Sequence, residues 1–149
     1  MKKSISIYTD GGCHGNPGPG AWGTVVIDGN NQVRLSGGEE RTTNNRMELT
    51  AAIKALSYAK EHCPDAEIRV FIDSQYVKKG ITEWILLWKS RNWKTASKTA
   101  VLNQDLWKEL DSLNSALNVE WSWVKGHSGV EFNEICDELC QKEIAALSH

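Results

Sequence analysis

The chain has 149 residues, 40% hydrophobic and 24% charged, which is enough apolar material for one folded domain and excludes a disordered chain. Its formal net charge of −2 excludes a protein whose affinity rests on a generally basic surface, and leaves open a local basic patch. No apolar run approaches the ~18 residues of a membrane span, and Asp10 interrupts MKKSISIYTD before a signal-peptide core can form. Cys13, Cys63, Cys136 and Cys140 have no disulfide-framework spacing, so a cytoplasmic chain with reduced thiols is expected.

In chain order, Ile5, Ile7 and Thr9 alternate with Ser6, Tyr8 and Asp10, the period of a strand. The glycine- and proline-rich run from Gly11 to Gly20 is expected to end that strand at a carboxylate. Trp22–Asp28 and Gln32–Ser36 read as a hairpin around Asp28-Gly29-Asn30-Asn31, followed by a turn-rich Gly37–Arg41. Thr42-Thr43-Asn44-Asn45 holds N-cap residues ahead of a helical pattern, Leu49, Ala52, Ile53, Leu56 and Ala59, so Glu48 falls in or near a first helical turn.

EIRVFID, Glu67–Asp73, is a second strand ending in an acid, and a right-handed crossover makes it parallel to the first. Neighbouring strands lie about 4.8 Å apart, so Asp10 and Asp73 would emerge side by side at the carboxyl edge of the sheet, where open α/β sheets bind ligands. Ser74–Lys79 reads as a short helix stopped by Gly80, Trp84–Trp88 as another, and a basic loop follows. Asn103 is expected to cap a helix carrying Leu106, Leu110, Leu113 and Leu117, before a fifth strand, Val119–Val124. The loop Lys125-Gly126-His127-Ser128-Gly129 leads to a last helix with Ile135, Leu139 and Ile144. The pattern predicts an α/β fold: one domain over residues 1–149, one mixed sheet and helices on both faces.

Asp10, Glu48, Asp73 and Asp137 are the candidate chemical groups. Gathered in one pocket they would repel one another, and Mg²⁺ or Mn²⁺ would relieve that repulsion. A pair of such ions can activate water and stabilise the leaving oxygen of a displacement at phosphorus. The alternative is that the acids cap helices or face water. Gly18–Gly23 formally matches GxGxxG but precedes a strand, which excludes dinucleotide binding. Cys136 and Cys140 lack zinc spacing and read as helix core, and Trp121 and Trp123 share a strand face suited to packing.

TDGGCHGNPGPGAWG, TTNNRMEL, DSQYV, WKTA and VKGHSG…NEICDEL resemble, in order and across nearly the whole chain, the motifs of type 1 ribonuclease H of the bacterial ribonuclease HI kind. The resemblance implies a five-stranded sheet in the order 3-2-1-4-5. It also implies hydrolysis of the RNA strand of RNA–DNA hybrids with two Mg²⁺ ions, leaving 5′-phosphate and 3′-hydroxyl ends. It makes Asp10, Glu48, Asp73 and Asp137 metal ligands and His127 an aid to proton transfer or product release. It places Cys13, Asn16, Asn44, Asn45 and Gln75 along the minor groove of the hybrid, where the 2′-hydroxyls lie. From the residues alone, Asn44 and Asn45 equally suit helix caps, and Asn16 a turn.

The acid-free segment Trp84–Gln104 contains Lys89, Arg91, Trp93, Lys94 and Lys98. By resemblance it is the basic handle that grips the DNA strand, while Arg41, Thr43 and Asn103 form a DNA-phosphate pocket. Trp84 and Trp88 read as packing, and Trp93 as the contact residue. Two departures from the family pattern stand out: Ser90 replaces a frequent cation, implying a weaker grip, and Val130-Glu131-Phe132 replaces a segment often carrying a second His and a Pro. A monomer without membrane or obligatory protein partner is expected. A non-cleaving hybrid-binding module would lack the acids, and a resolvase or integrase on the same fold would need a further DNA-binding or multimerisation domain.

Overall fold

The computed structural model describes residues 3–95, 97–124 and 131–147. Three antiparallel strands come first: β1 (Ser4–Cys13), β2 (Gly18–Asp28) and β3 (Asn31–Thr42). Helix α1 (Asn44–His62) crosses to β4 (Glu67–Ile72). A helical stretch follows, α2 (Gln75–Lys79), a π-helical turn (Gly80–Trp84) and α3 (Ile85–Ser90), and then α4 (Gln104–Ala116), β5 (Asn118–Trp123) and α5 (Glu131–Leu147). The sheet order is β3-β2-β1-β4-β5, with β4 parallel to both β1 and β5. This is the strand order that the resemblance implies.

The alternation along β1 divides the molecule. Ile5 and Ile7 point into the main core with Val26, Ile68, Val70 and Ile72, against Leu49, Ile53 and Leu56 of α1 and Trp107, Leu110 and Leu113 of α4. Burying each such side chain contributes roughly 1.5–3 kcal/mol. The opposite face carries α5, whose Cys140 and Ile144 meet Ala21 in a smaller cluster. Cys136 and Cys140 are fully buried, as their helix-core reading requires.

Two local expectations are corrected and two are refined. First, β1 does not stop at Asp10: pairing continues through Asp10↔Gly23, Gly11↔Trp22, Gly12↔Ala21 and Cys13↔Gly20. Glycine keeps its N–H and C=O, and a neighbouring strand can use both. Second, the same pairing extends β3 through the turn-rich stretch to Thr42, with Gly38 and Glu39 opposite Ala21 and Gly20.

Third, Gly80 is the C-cap at which α2 ends, as expected, but the chain stays helical there. It opens the π-helical turn, and a Cβ there would lie 1.9 Å from the Trp107 ring. The residue is small because the indole of Trp107, fully buried, occupies the space. Fourth, the cap of α1 is Thr43, whose Oγ1 accepts from Arg46 N at 3.2 Å, so Asn44 and Asn45 lie inside the first turn. Asn103 holds the N-cap position of α4 in a left-handed conformation, φ 61°, and its side chain makes no capping bond.

Replacing Gly80 with Ala should therefore overpack the core and cost about 1–3 kcal/mol. Urea denaturation would show this as a lower midpoint at unchanged slope. An unchanged midpoint would contradict the packing assigned to Trp107.

Candidate metal centre and nucleic-acid surface

Asp10 lies within β1 and Asp73 directly follows β4. The parallel register ends at Tyr8↔Phe71, and two residues further along it sets Asp10 opposite Asp73. Glu48 comes from α1, which packs across the same strands. That helix approaches β1 closely at Gly11, where a Cβ would fall 2.5 Å from Glu48 N and from Met47 C. The result is one ligand oxygen each from Asp10, Glu48 and Asp73, all within 4.8 Å of one another.

Glu48 is 4% exposed, while Asp10 and Asp73 are half-buried. Its carboxylate accepts a hydrogen bond from Gly11 N–H and another from the Ser74 hydroxyl. Burial foremost, and then the charges of Asp10 and Asp73, hold the Glu48 carboxyl well above its ordinary value, against those two hydrogen bonds. An all-oxygen, half-sheltered trio of acids in which Asp10 and Asp73 oppose the ionisation of Glu48 suits a hard divalent cation such as Mg²⁺ or Mn²⁺.

Asp137 is outside that trio. It sits on α5, half-buried, and its charge adds a little to the burial and the Asp10 charge that raise the Cys140 thiol, whose Sγ lies 3.5 Å from the Asp10 carbonyl oxygen. Cys136 donates to the Tyr8 carbonyl at 3.3 Å, and burial pushes its thiol up to about 12. These bonds seat α5 behind the acid-bearing end of β1. His127 lies outside the described residues.

A depression of about 340 Å³ opens at the acids and is lined also by Asn44, Asn45, Gln75 and Tyr76. The two asparagine side chains are thus released from capping and placed beside the trio. Asn16 reaches the same helix start, its Oδ1 accepting from Asn44 N at 3.1 Å. Cys13 instead points among strand carbonyls, with Sγ 3.3 Å from Thr42 O and 3.4 Å from Gly18 O.

Arg41 is exposed and Thr43 is engaged as a cap. Asn103 belongs to a network that the sequence did not reveal. Its Oδ1 accepts from Arg46 Nη1 at 3.3 Å, and its Nδ2 donates to Tyr76 Oη at 3.1 Å. Arg46 pairs with both oxygens of Asp105, at 2.9 and 3.1 Å, and Trp107 Nε1 donates to the same Tyr76 hydroxyl at 3.0 Å. The Arg46 guanidinium holds the Asp105 carboxyl below its usual range.

The basic segment splits into two groups. Arg91, Lys94 and Lys98 are exposed around a hollow of about 440 Å³. Lys89 is tied back to Asp111 at 2.9 Å. Trp93 is half-buried rather than free, with its ring centroid 6.1 Å from that of Trp88 and 5.6 Å from Lys108 Nζ. Trp84 and Trp88 pack as expected, joining Tyr76 and Trp107. Ser90 finishes α3 by donating to the Leu87 carbonyl at 2.7 Å. On β5, Trp121 is half-buried and donates to Asn114, but Trp123 is exposed and donates to the Asp73 carbonyl at 3.3 Å.

Comparison with known proteins agrees with this geometry. The family model described as RNase H matches residues 2–145. A ribonuclease H of Phenylobacterium zucineum (strain HLK1) is 52% identical over 145 residues, covering 97% of this chain and 93% of the relative. A ribonuclease H of Pseudomonas aeruginosa (strain LESB58) is 51% identical over 146 residues, covering 98% and 97%. Among solved structures, LC9-RNase H1, a type 1 RNase H with the type 2 active-site motif, superposes with a TM-score of 0.86 at 31% identity, covering 99% of this chain and 74% of that one. LC11-RNase H1 in complex with an RNA/DNA hybrid shares the fold, with a TM-score of 0.75 at 24% identity, covering 98% and 100%.

Two outcomes test the site. Gly11→Ala should push α1 and Glu48 away from β1, lowering cleavage ~10- to ~100-fold, the cost typical of losing a supporting contact at a metal site. Wild-type rates in that variant would show that the close approach is dispensable. The raised Glu48 carboxyl also has a defined sign in stability. The folded state holds its proton more tightly than the unfolded chain, so in chelator stability is fullest below the ordinary carboxyl value of 4.5 and is lost as pH rises through the raised value. The melting temperature of Glu48→Gln relative to wild type should therefore climb with pH, and Mg²⁺ should close the gap by stabilising wild type. A pH-independent gap would contradict the crowding.

Proposed function

The chain belongs to the ribonuclease H family, and from that premise we infer that it is a metal-dependent endoribonuclease that hydrolyses the RNA strand of RNA–DNA hybrids. The observation that carries this reading is the convergence of Asp10, Glu48 and Asp73 within 4.8 Å at the carboxyl edge of two parallel strands. In the reaction a water gives up a proton as its oxygen forms a bond to the scissile phosphorus, the bond from phosphorus to the 3′-oxygen breaks, and that oxygen takes up a proton. The products are a 5′-phosphate and a 3′-hydroxyl.

Two Mg²⁺ ions, with Mn²⁺ as a substitute, would be held by the three acids and by Asp137 as a fourth ligand, and would supply polarisation of the water and neutralisation of charge at phosphorus. The chain's own residues do the rest. Gly11 N–H and Ser74 fix the orientation of Glu48. Asn44, Asn45 and Gln75 offer amides that both donate and accept beside the acids, which suits 2′-hydroxyls in a minor groove. Asn16, bonded to the start of α1, and Cys13 would line the same groove. His127 would aid proton transfer.

Arg41, Thr43 and Asn103 would receive a phosphate of the DNA strand. Arg91, Lys94 and Lys98, with Trp93 and Lys89 behind them, would track its backbone. We read residues 1–149 as one catalytic unit acting as a monomer in the cytoplasm, a reading supported by the family match over residues 2–145 and by four free thiols. No helix among the described residues is long and apolar enough to cross a membrane.

A labelled hybrid incubated with Mg²⁺ should be cut in its RNA strand, and chelator should stop the reaction. An all-DNA duplex should persist. Asp10→Asn should reduce cleavage by more than ~100-fold, beyond what losing a supporting residue costs, while retaining binding of the hybrid. A hybrid left whole by the wild-type enzyme in Mg²⁺ would defeat the proposal.

A further inference from the structure

Trp123 is the one aromatic residue among the exposed large apolar side chains of the described residues, with 42% of its surface open. Packing alone does not account for it. Trp107 fills the core completely and Trp121, on the same strand, packs against it, whereas Trp123 closes β5 at the rim. Its indole is fastened by one edge, with Nε1 donating to the carbonyl of Asp73 at 3.3 Å. That bond holds the exposed ring against the backbone of Asp73.

Lys78 stands beside it. This residue of α2 places Nζ 5.1 Å from the Trp123 ring centroid. Both α2 and Asp73 follow β4 in the chain, and the ammonium lies over the Trp123 ring. Unlike Lys89, Lys78 enters none of the ion pairs among the described residues. The carboxylates of the site repel an incoming phosphate, and an ammonium over the Trp123 ring supplies a cation for a polyanion bound on that side. Aromatic faces stack on sugars and bases without regard to sequence.

We propose that Trp123 and Lys78 form a further nucleic-acid contact on the β5 side of the acid cluster, with the ammonium meeting a backbone phosphate and the open indole face meeting a sugar or base of the same bound duplex. This contact is separate from the basic segment 91–98 and from the asparagines of α1. It rests on the reading of the chain as an enzyme acting on hybrids.

The test is fluorescence anisotropy with a labelled RNA–DNA hybrid in chelator, so that affinity is read without turnover, while cleavage in Mg²⁺ by wild type and by each variant is followed in parallel. Lys78→Gln should shallow the slope of log affinity against log salt by roughly 0.7–0.9, the value of one phosphate. Trp123→Ala should weaken binding ~5- to ~100-fold, and Trp123→Phe, which keeps a face and loses the N–H, should stay near wild type. Melting curves check folding. If Trp123→Ala does not fold, the Lys78→Gln slope decides. Wild-type slope in Lys78→Gln overturns the contact, as does weakened cleavage with unchanged affinity in both Trp123 variants, which would leave the indole a support for Asp73 only. A wild-type enzyme that does not cut the hybrid would instead sink the functional reading.

Discussion

The close approach of α1 to β1 at Gly11 is the constraint on which the site depends. The parallel register of β1 and β4 places Asp10 and Asp73 together, but that pair would be an ordinary part of the sheet without Glu48. A helix can bring a buried glutamate into the pair only where the strand beneath it lacks a side chain, and Gly11 supplies that place together with an N–H for the carboxylate. The arrangement is costly without cations, because desolvation and like charge act on Glu48 in the same direction. The main core on that side of the sheet, from Ile7 through Leu56 to Trp107, holds α1 in place against the repulsion.

The same core reaches the basic segment. Ring contacts run from Trp93 to Trp88, and from Trp88 to both Trp84 and Trp107, each of which meets Tyr76 at the acid-lined depression. The Tyr76 hydroxyl also accepts from Asn103, and Asn103 accepts from Arg46 in the first turn of α1. The cationic hollow and the acids are therefore joined through packed aromatic rings and a polar network, and a net charge of −2 coexists with a local basic surface. Lys89, tied to Asp111, helps fasten α3 to α4 rather than extending that surface.

Much of this was legible in the sequence, for definable reasons. Alternation in Ile5–Asp10 and Glu67–Asp73 marks strands, and the helix between them requires a parallel crossover, so the meeting of Asp10 and Asp73 follows from topology. Features that depend on distant partners were not legible. The packing that requires glycine at 80 is hidden until Trp107 is seen against it, and the glycine run after Asp10 looks like a loop until β2 pairs with it. The conformation of Asn103 is chosen by Arg46 and Tyr76 rather than by its neighbours in sequence. Alternation on β5 placed Trp121 and Trp123 on one face, but it carries no information about which of them lies beside Asp73.

The central claim is that three carboxylates are crowded enough to require cations. Carbon-13 NMR titration of the Glu48 side-chain carboxyl, first in chelator and then with saturating Mg²⁺, measures this most directly. The account predicts a midpoint above the ordinary glutamate value in chelator and a fall below it once Mg²⁺ binds. An ordinary midpoint in both conditions would contradict it.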